Sequence, residues 1–135
     1  MGVFVDTTAF YALADKSDKN HNNAVEYYNL LSAQTVVLLT TNYVVSETYT
    51  LIRMRLGHNA AVTAVEGIIE SDLLEIVQIS ESLDAAAFEI LRKQSDKDYS
   101  FVDAVSFALM KSRGISQAFS FDEHFRQFGF QTLPL

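Results

Sequence analysis

The strongest constraint on this chain is its succession of short apolar runs, each leading into a segment with helical periodicity. Val3-Phe4-Val5 reads as a buried strand, and Asp6-Thr7-Thr8 forms an acid- and hydroxyl-rich turn into the helical Ala9-Phe10-Tyr11-Ala12-Leu13-Ala14. A helix from about Asn22 to Ser32 follows a polar stretch, with Ala24, Tyr27, Tyr28 and Leu31 on one stripe. Thr35-Val36-Val37-Leu38-Leu39-Thr40 is apolar and β-branched, as in a strand covered on both faces. Thr41 or Asn42 caps the next helix, Tyr43 to about Leu56, Gly57 ends it, and His58 to Glu70 forms another. Leu73 to Ile79 alternates as a strand, and Ser80 caps a helix reaching about Gln94. The helix opened by Ser100 ends at Arg113-Gly114. Gln117 to Phe121 reads as a strand, 122–128 as one or two helical turns, and 129–133 as a last short strand. Strands alternating with helices predict an α/β fold with a central parallel sheet of four or five strands and helices on both faces.

No repeat, low-complexity segment or internal boundary interrupts residues 1–135, so a single domain is expected over that span. Apolar residues make up 49% of the chain and are spread along it, which excludes a disordered protein. The absence of cysteine excludes a disulfide framework, a zinc–thiolate site and a thiol nucleophile. Residues 1–5 lack a basic start and a long apolar core, and no apolar run approaches a membrane span, so a cytoplasmic protein without membrane attachment is expected. A net charge of −7 argues against non-specific nucleic-acid binding through cationic surface. That objection weakens if acids gather in one pocket and hold divalent cations, because such a pocket attracts phosphate through its metals.

Four carboxylates stand out. Asp6 follows the first strand directly, and Asp122 follows the Phe119-Ser120-Phe121 strand directly, which puts both at the carboxyl edge of the sheet. Asp103 lies three residues after Ser100, a capping-box arrangement in Asp form. Glu47 shares the stripe of Tyr43, Val44 and Leu51, where an acid needs a partner or a cation if it is buried. Singly, Asp6, Asp103 and Asp122 are explained as helix caps, and Glu47 as an acid at the border of its stripe. Gathered together, four carboxylates repel unless protons or metals compensate, and divalent-metal catalysis is the chemistry that uses such a cluster.

The segments carrying these acids resemble the motifs of the PIN-domain nucleases. Val5-Asp6-Thr7-Thr8-Ala9-Phe10-Tyr11-Ala12-Leu13 is similar to the first motif and Asn42-Tyr43-Val44-Val45-Ser46-Glu47 to the second. Ser100-Phe101-Val102-Asp103-Ala104 and Phe119-Ser120-Phe121-Asp122-Glu123-His124-Phe125 are similar to the third and fourth. Each match is weak alone, but four in the family's order span nearly the whole chain. The resemblance implies a three-layer α/β/α sandwich and metal-dependent cleavage of RNA. It implies that Asp6, Glu47, Asp103 and Asp122 hold Mg²⁺ or Mn²⁺, directly or through water, with Thr7 and Ser120 as supporting hydroxyls. At this chain length it extends to the VapC toxins of toxin–antitoxin pairs, which implies a homodimer and a small antitoxin partner.

Other residues carry less. His21, His58 and His124 lack metal-ligand spacing and read as surface or border residues, although His124 follows Asp122 closely enough to approach the site. Arg53, Arg55, Lys111 and Arg113 are candidates for phosphate contacts, but near helix ends they are better explained by the helix dipole or as solvated charges. A catalytically weak PIN-like module that binds RNA or protein is the alternative function, opposed by the presence of all four acids. A receiver-like phosphotransfer domain calls for an acidic pair after the first strand, where Thr7-Thr8 follows Asp6.

Overall fold

A computed structural model describes residues 2–135. Five parallel strands form one sheet: β1 (Gly2–Val5), β2 (Val37–Thr41), β3 (Leu74–Val77), β4 (Gln117–Phe119) and β5 (Gln131–Leu133). Their order is β3-β2-β1-β4-β5, so the first strand is central, with Phe4 opposite both Leu39 and Ala118. The chain moves outward from β1 through β2 to β3, then returns to lay β4 on the other side of β1. The order therefore reverses between β1 and β4, the place where open parallel sheets bind ligands beyond their strand ends.

Seven helices connect and cover the strands: α1 (Thr7–Ala14), α2 (His21–Ser32), α3 (Asn42–Leu56), α4 (His58–Glu70), α5 (Glu81–Lys93), α6 (Phe101–Arg113) and α7 (His124–Phe128). In one group α1 packs on α2 and α3, and α3 on α4; in the other, α6 packs on α5 and α7. Two helical layers thus enclose the sheet, as expected of an α/β/α sandwich. α6 is the internal strut, with every side chain from Asp103 to Met110 buried. Phe107 stacks on Phe128 at 4.5 Å and meets Phe125 and Tyr99 edge-on at 5.0 Å, fixing α7 and the loop before α6 to one aromatic centre.

The predicted elements are present, with shifts that have local causes. The second strand runs over 37–41 rather than 35–40, and the third keeps only 74–77 of the expected 73–79. Thr41 rather than Asn42 caps α3, its hydroxyl accepting from the Val44 N–H at 3.0 Å. Asn42 instead accepts from the Ile79 N–H at 3.0 Å, drawing the segment after β3 onto the start of α3. β4 stops at Phe119, because the Ser120 side chain and the Phe121 amide turn toward the first strand's end. Ser100 and Asp103 form the expected capping box, and Gly114 closes α6 in the left-handed conformation at φ 66°.

Candidate metal centre

Asp6 leaves β1 in extended conformation and becomes the N-cap of α1, only 3% exposed. Its Oδ2 accepts from the Thr8 hydroxyl and the Ser120 hydroxyl, each at 2.9 Å, and more weakly from the Thr8 N–H at 3.4 Å. Burial pushes its pKa up to about 6. The hydrogen bonds from Thr8 and Ser120 oppose that rise, and the nearby charge of Asp103 adds to it. The carboxylate is a helix cap, as its position suggests, and it also faces a second acid.

Asp103 occupies the first turn of α6 with 7% exposure. Its Oδ2 accepts from the Ser100 N–H at 3.0 Å and lies 2.8 Å from His124 Nδ1. Asp122 sits three residues beyond β4, not directly after a strand. The Ser120 hydroxyl, donating to Asp6, accepts from the Asp122 N–H at 3.0 Å and fixes the turn. Asp122 Oδ1 in turn accepts from the His124 N–H at 3.0 Å, with His124 Nδ1 at 3.4 Å. Asp103, Asp122 and His124 each offer one ligand atom within 4.8 Å of the others.

These carboxylates share one design. Among the described residues, the side-chain hydrogen bonds of Asp6 and Asp103 fall on Oδ2 and those of Asp122 on Oδ1. Each acid is thus oriented by hydrogen bonds to one of its oxygens. Hard, anionic oxygen donors on rigid supports suit a hard divalent cation, which also relieves the repulsion between Asp6 and Asp103.

His124 is the residue that sequence reasoning undervalued. Burial alone lowers its pKa, but the bond to Asp103 and the charges of Asp122, Asp103 and Glu123 outweigh burial and raise it. Its ring also meets Tyr99 edge-on at 5.5 Å. The available signal was its offset of two from Asp122, the spacing of an Asx turn. Thr8 was overlooked in favour of Thr7. Thr8 bonds Asp6, its Oγ1 lies 3.3 Å from Ser120 Oγ, and it accepts from the Phe121 N–H at 3.0 Å. The buried Thr7 hydroxyl has no partner among the described residues.

Asp6 and the half-buried Glu47 both stand outside the close group of Asp103, Asp122 and His124. The buried stripe of α3 is Val44, Thr48 and Ile52, which places Glu47 at its border, lining a crevice with Tyr43 and Phe101. The four weighed cations are engaged elsewhere. Arg53 meets His58 at 3.0 Å, Arg55 lies 5.0 Å above the Tyr11 ring, Lys111 lies 5.3 Å from the Phe128 ring, and Arg113 pairs with Glu75 at 3.2 Å.

A parallel sheet with its acids at the switch point defines a class of metal-binding α/β domains, and comparison with known families narrows it. The PIN domain family matches residues 3–131, and the chain belongs to that family. The chain is 38% identical over 128 residues to a 23S rRNA-specific endonuclease, VapC20, of Mycobacterium tuberculosis, covering 95% of each sequence. The crystal structure of M. tuberculosis VapC20, described as a sarcin-ricin loop cleaving toxin, superposes with a TM-score of 0.88 at 36% identity over 96% of both chains. A VapC ribonuclease of Archaeoglobus fulgidus is 26% identical over 108 residues, covering 78% of this chain and 68% of that protein. FitAcB of Neisseria gonorrhoeae shares the fold alone, at 15% identity and a TM-score of 0.71 over 98% of this chain and 96% of that one.

Proposed function

We propose that this protein is a divalent-metal-dependent endoribonuclease that hydrolyses RNA phosphodiester bonds, and that it is the toxin of a toxin–antitoxin pair. The observation that carries the reading is the set of Asp6, Asp103 and Asp122, each anchored by hydrogen bonds to one of its oxygens. Relatives named as an rRNA-specific endonuclease and a ribonuclease support RNA as the substrate class.

Asp6, Asp103 and Asp122 would hold Mg²⁺ or Mn²⁺, with Glu47 reached through water from α3. Such a cation supplies positive charge at the scissile phosphate and acidifies a water beside it. The chain's own work is positional. Thr8 and Ser120 orient Asp6. The capping box and His124 orient Asp103, so neither acid reorganises when substrate arrives. Hydrolysis forms a bond from the water oxygen to phosphorus and breaks the bond to the leaving ribose oxygen. The proton released from water passes to a carboxylate of the cluster. A small antitoxin protein, a homodimeric assembly, a single functional domain and a cytoplasmic setting complete the proposal. Among the described residues, no helix is long and apolar enough to cross a membrane.

The test compares the wild type with Asp103→Asn on a mixed RNA substrate, with Mn²⁺ or Mg²⁺ and then with EDTA. Asn retains an oxygen for the Ser100 N–H while removing the charge. Cleavage that requires metal and disappears in the variant is expected. Equal cleavage by two folded proteins overturns the assignment. Absence of both cleavage and calorimetric metal binding selects the non-catalytic module.

A further inference from the structure

The crevice beside the carboxylates has a feature that metal binding does not use. Phe101, two residues before Asp103, leaves 40% of its surface exposed, while α6 is buried from Asp103 to Met110. Tyr43 of α3 lies across from it, with ring centroids 6.4 Å apart and planes inclined by 38°. Both rings are firmly mounted. The Tyr43 hydroxyl donates to Asp84 Oδ1 at 2.6 Å. Phe101 lies inside the capping box, where the Ser100 and Asp103 amides are each tied at 3.0 Å. The two rings, with Asn42, Ser46, Glu47 and Val102, line an open space of about 540 Å³.

A phosphate is a poor occupant for that space, because Glu47 is in its wall and no basic side chain lines it. The cations at the ends of α3 and α6 are committed to His58, Tyr11, Phe128 and Glu75. A net charge of −7 argues against holding RNA chiefly by counterion release. A flat, neutral π-face suits the exposed Phe101 ring beside the half-buried Tyr43 ring, and an amide and a hydroxyl lie beside them for edge contacts. We infer that Phe101, braced by Tyr43, is the stacking platform for an unpaired nucleobase of single-stranded RNA next to the scissile phosphate. The inference rests on the ribonuclease reading and specifies how that substrate is gripped. Phe101 is thus a substrate-positioning residue, separate from the metal ligands.

The test uses the full chain with Mn²⁺ and a short single-stranded RNA whose cleavage position has been mapped. Phe101→Ala is expected to raise KM by roughly five- to a hundredfold with kcat within about threefold of wild type, and Phe101→Tyr to restore KM. An otherwise identical RNA, abasic at the nucleotides flanking the cleavage position, separates stacking from folding. It is expected to weaken wild-type KM by a similar factor and to leave Phe101→Ala unaffected. If wild type cleaves and folded Phe101→Ala matches its KM on both RNAs, the stacking platform is overturned and the ribonuclease stands. A wild type that cleaves no RNA overturns both.

Discussion

Ser120 Oγ donates to Asp6 Oδ2 at 2.9 Å across a separation of 114 residues, and the same oxygen accepts from the Asp122 N–H at 3.0 Å. One hydroxyl thus aligns the acid at the end of β1 with the acid beyond β4. Ser120→Ala leaves a buried carboxylate short of a donor and a buried amide short of an acceptor. A stability loss of roughly 1–3 kcal/mol is expected in urea titrations, with metal affinity lowered by about ten- to a hundredfold in calorimetry.

Asp6 makes the metal-free protein sensitive to pH. Its folded pKa of about 6 exceeds the ordinary 3.8, so the folded state keeps a proton that the unfolded state has already released. Stability therefore falls as pH rises from about 4 through 6, by roughly 3 kcal/mol for a shift of this size. His124 acts in the same direction. Its raised pKa gives a contribution fully present below 6.5 that is lost as pH rises through the folded value. Thermal melts in EDTA should show wild type losing stability between about pH 4 and 7 relative to Asp6→Asn, with the difference level above that. At pH 8 the variant should melt higher, although inactive, and Mn²⁺ should stabilise wild type far more than the variant.

Adjacent threonines separate a working hydroxyl from an idle one. Thr8→Val removes a donor to Asp6 and an acceptor for the Phe121 N–H. A stability loss of roughly 1–3 kcal/mol and weaker metal binding should follow. Thr7→Val replaces a buried hydroxyl without a partner by a methyl group of similar shape. Its stability should be unchanged or higher by up to about 1 kcal/mol in the same titration, with cleavage preserved.

His124→Ala removes the contact to Asp103 and leaves Ser100 as that carboxylate's remaining anchor. Metal affinity should fall by roughly ten- to a hundredfold, read by calorimetry. Fold content should be unchanged by circular dichroism, since Phe125 and Phe107 still hold α7.

Much of this arrangement was legible in the residues. Asp6 and Asp103 announce themselves because capping is local chemistry and strand ends in a parallel sheet share an edge. The order of the helices and strands follows from periodicity, and all five strands pair as the alternation requires. The share of work between Thr7 and Thr8 was not legible, because it depends on which hydroxyl faces Ser120 from the far end of the chain. His124 was obscured for a similar reason. Its partner Asp103 is 21 residues away, and no spacing rule links one helix's first turn to the start of the helix after the next strand. Of the stripe formed by Tyr43, Val44 and Leu51 only Val44 turns fully inward, with Thr48 and Ile52, so Glu47 takes the border position.

The central position of β1, with β4 beside it, has a bearing on synthesis. A ribosome adds Ser120, the residue whose hydroxyl joins the turns of Asp6 and Asp122, 114 residues after Asp6. β1 must wait, unpaired on one side, until β4 emerges. The acidic cluster is therefore assembled only after β4 and the turn beyond it have been made.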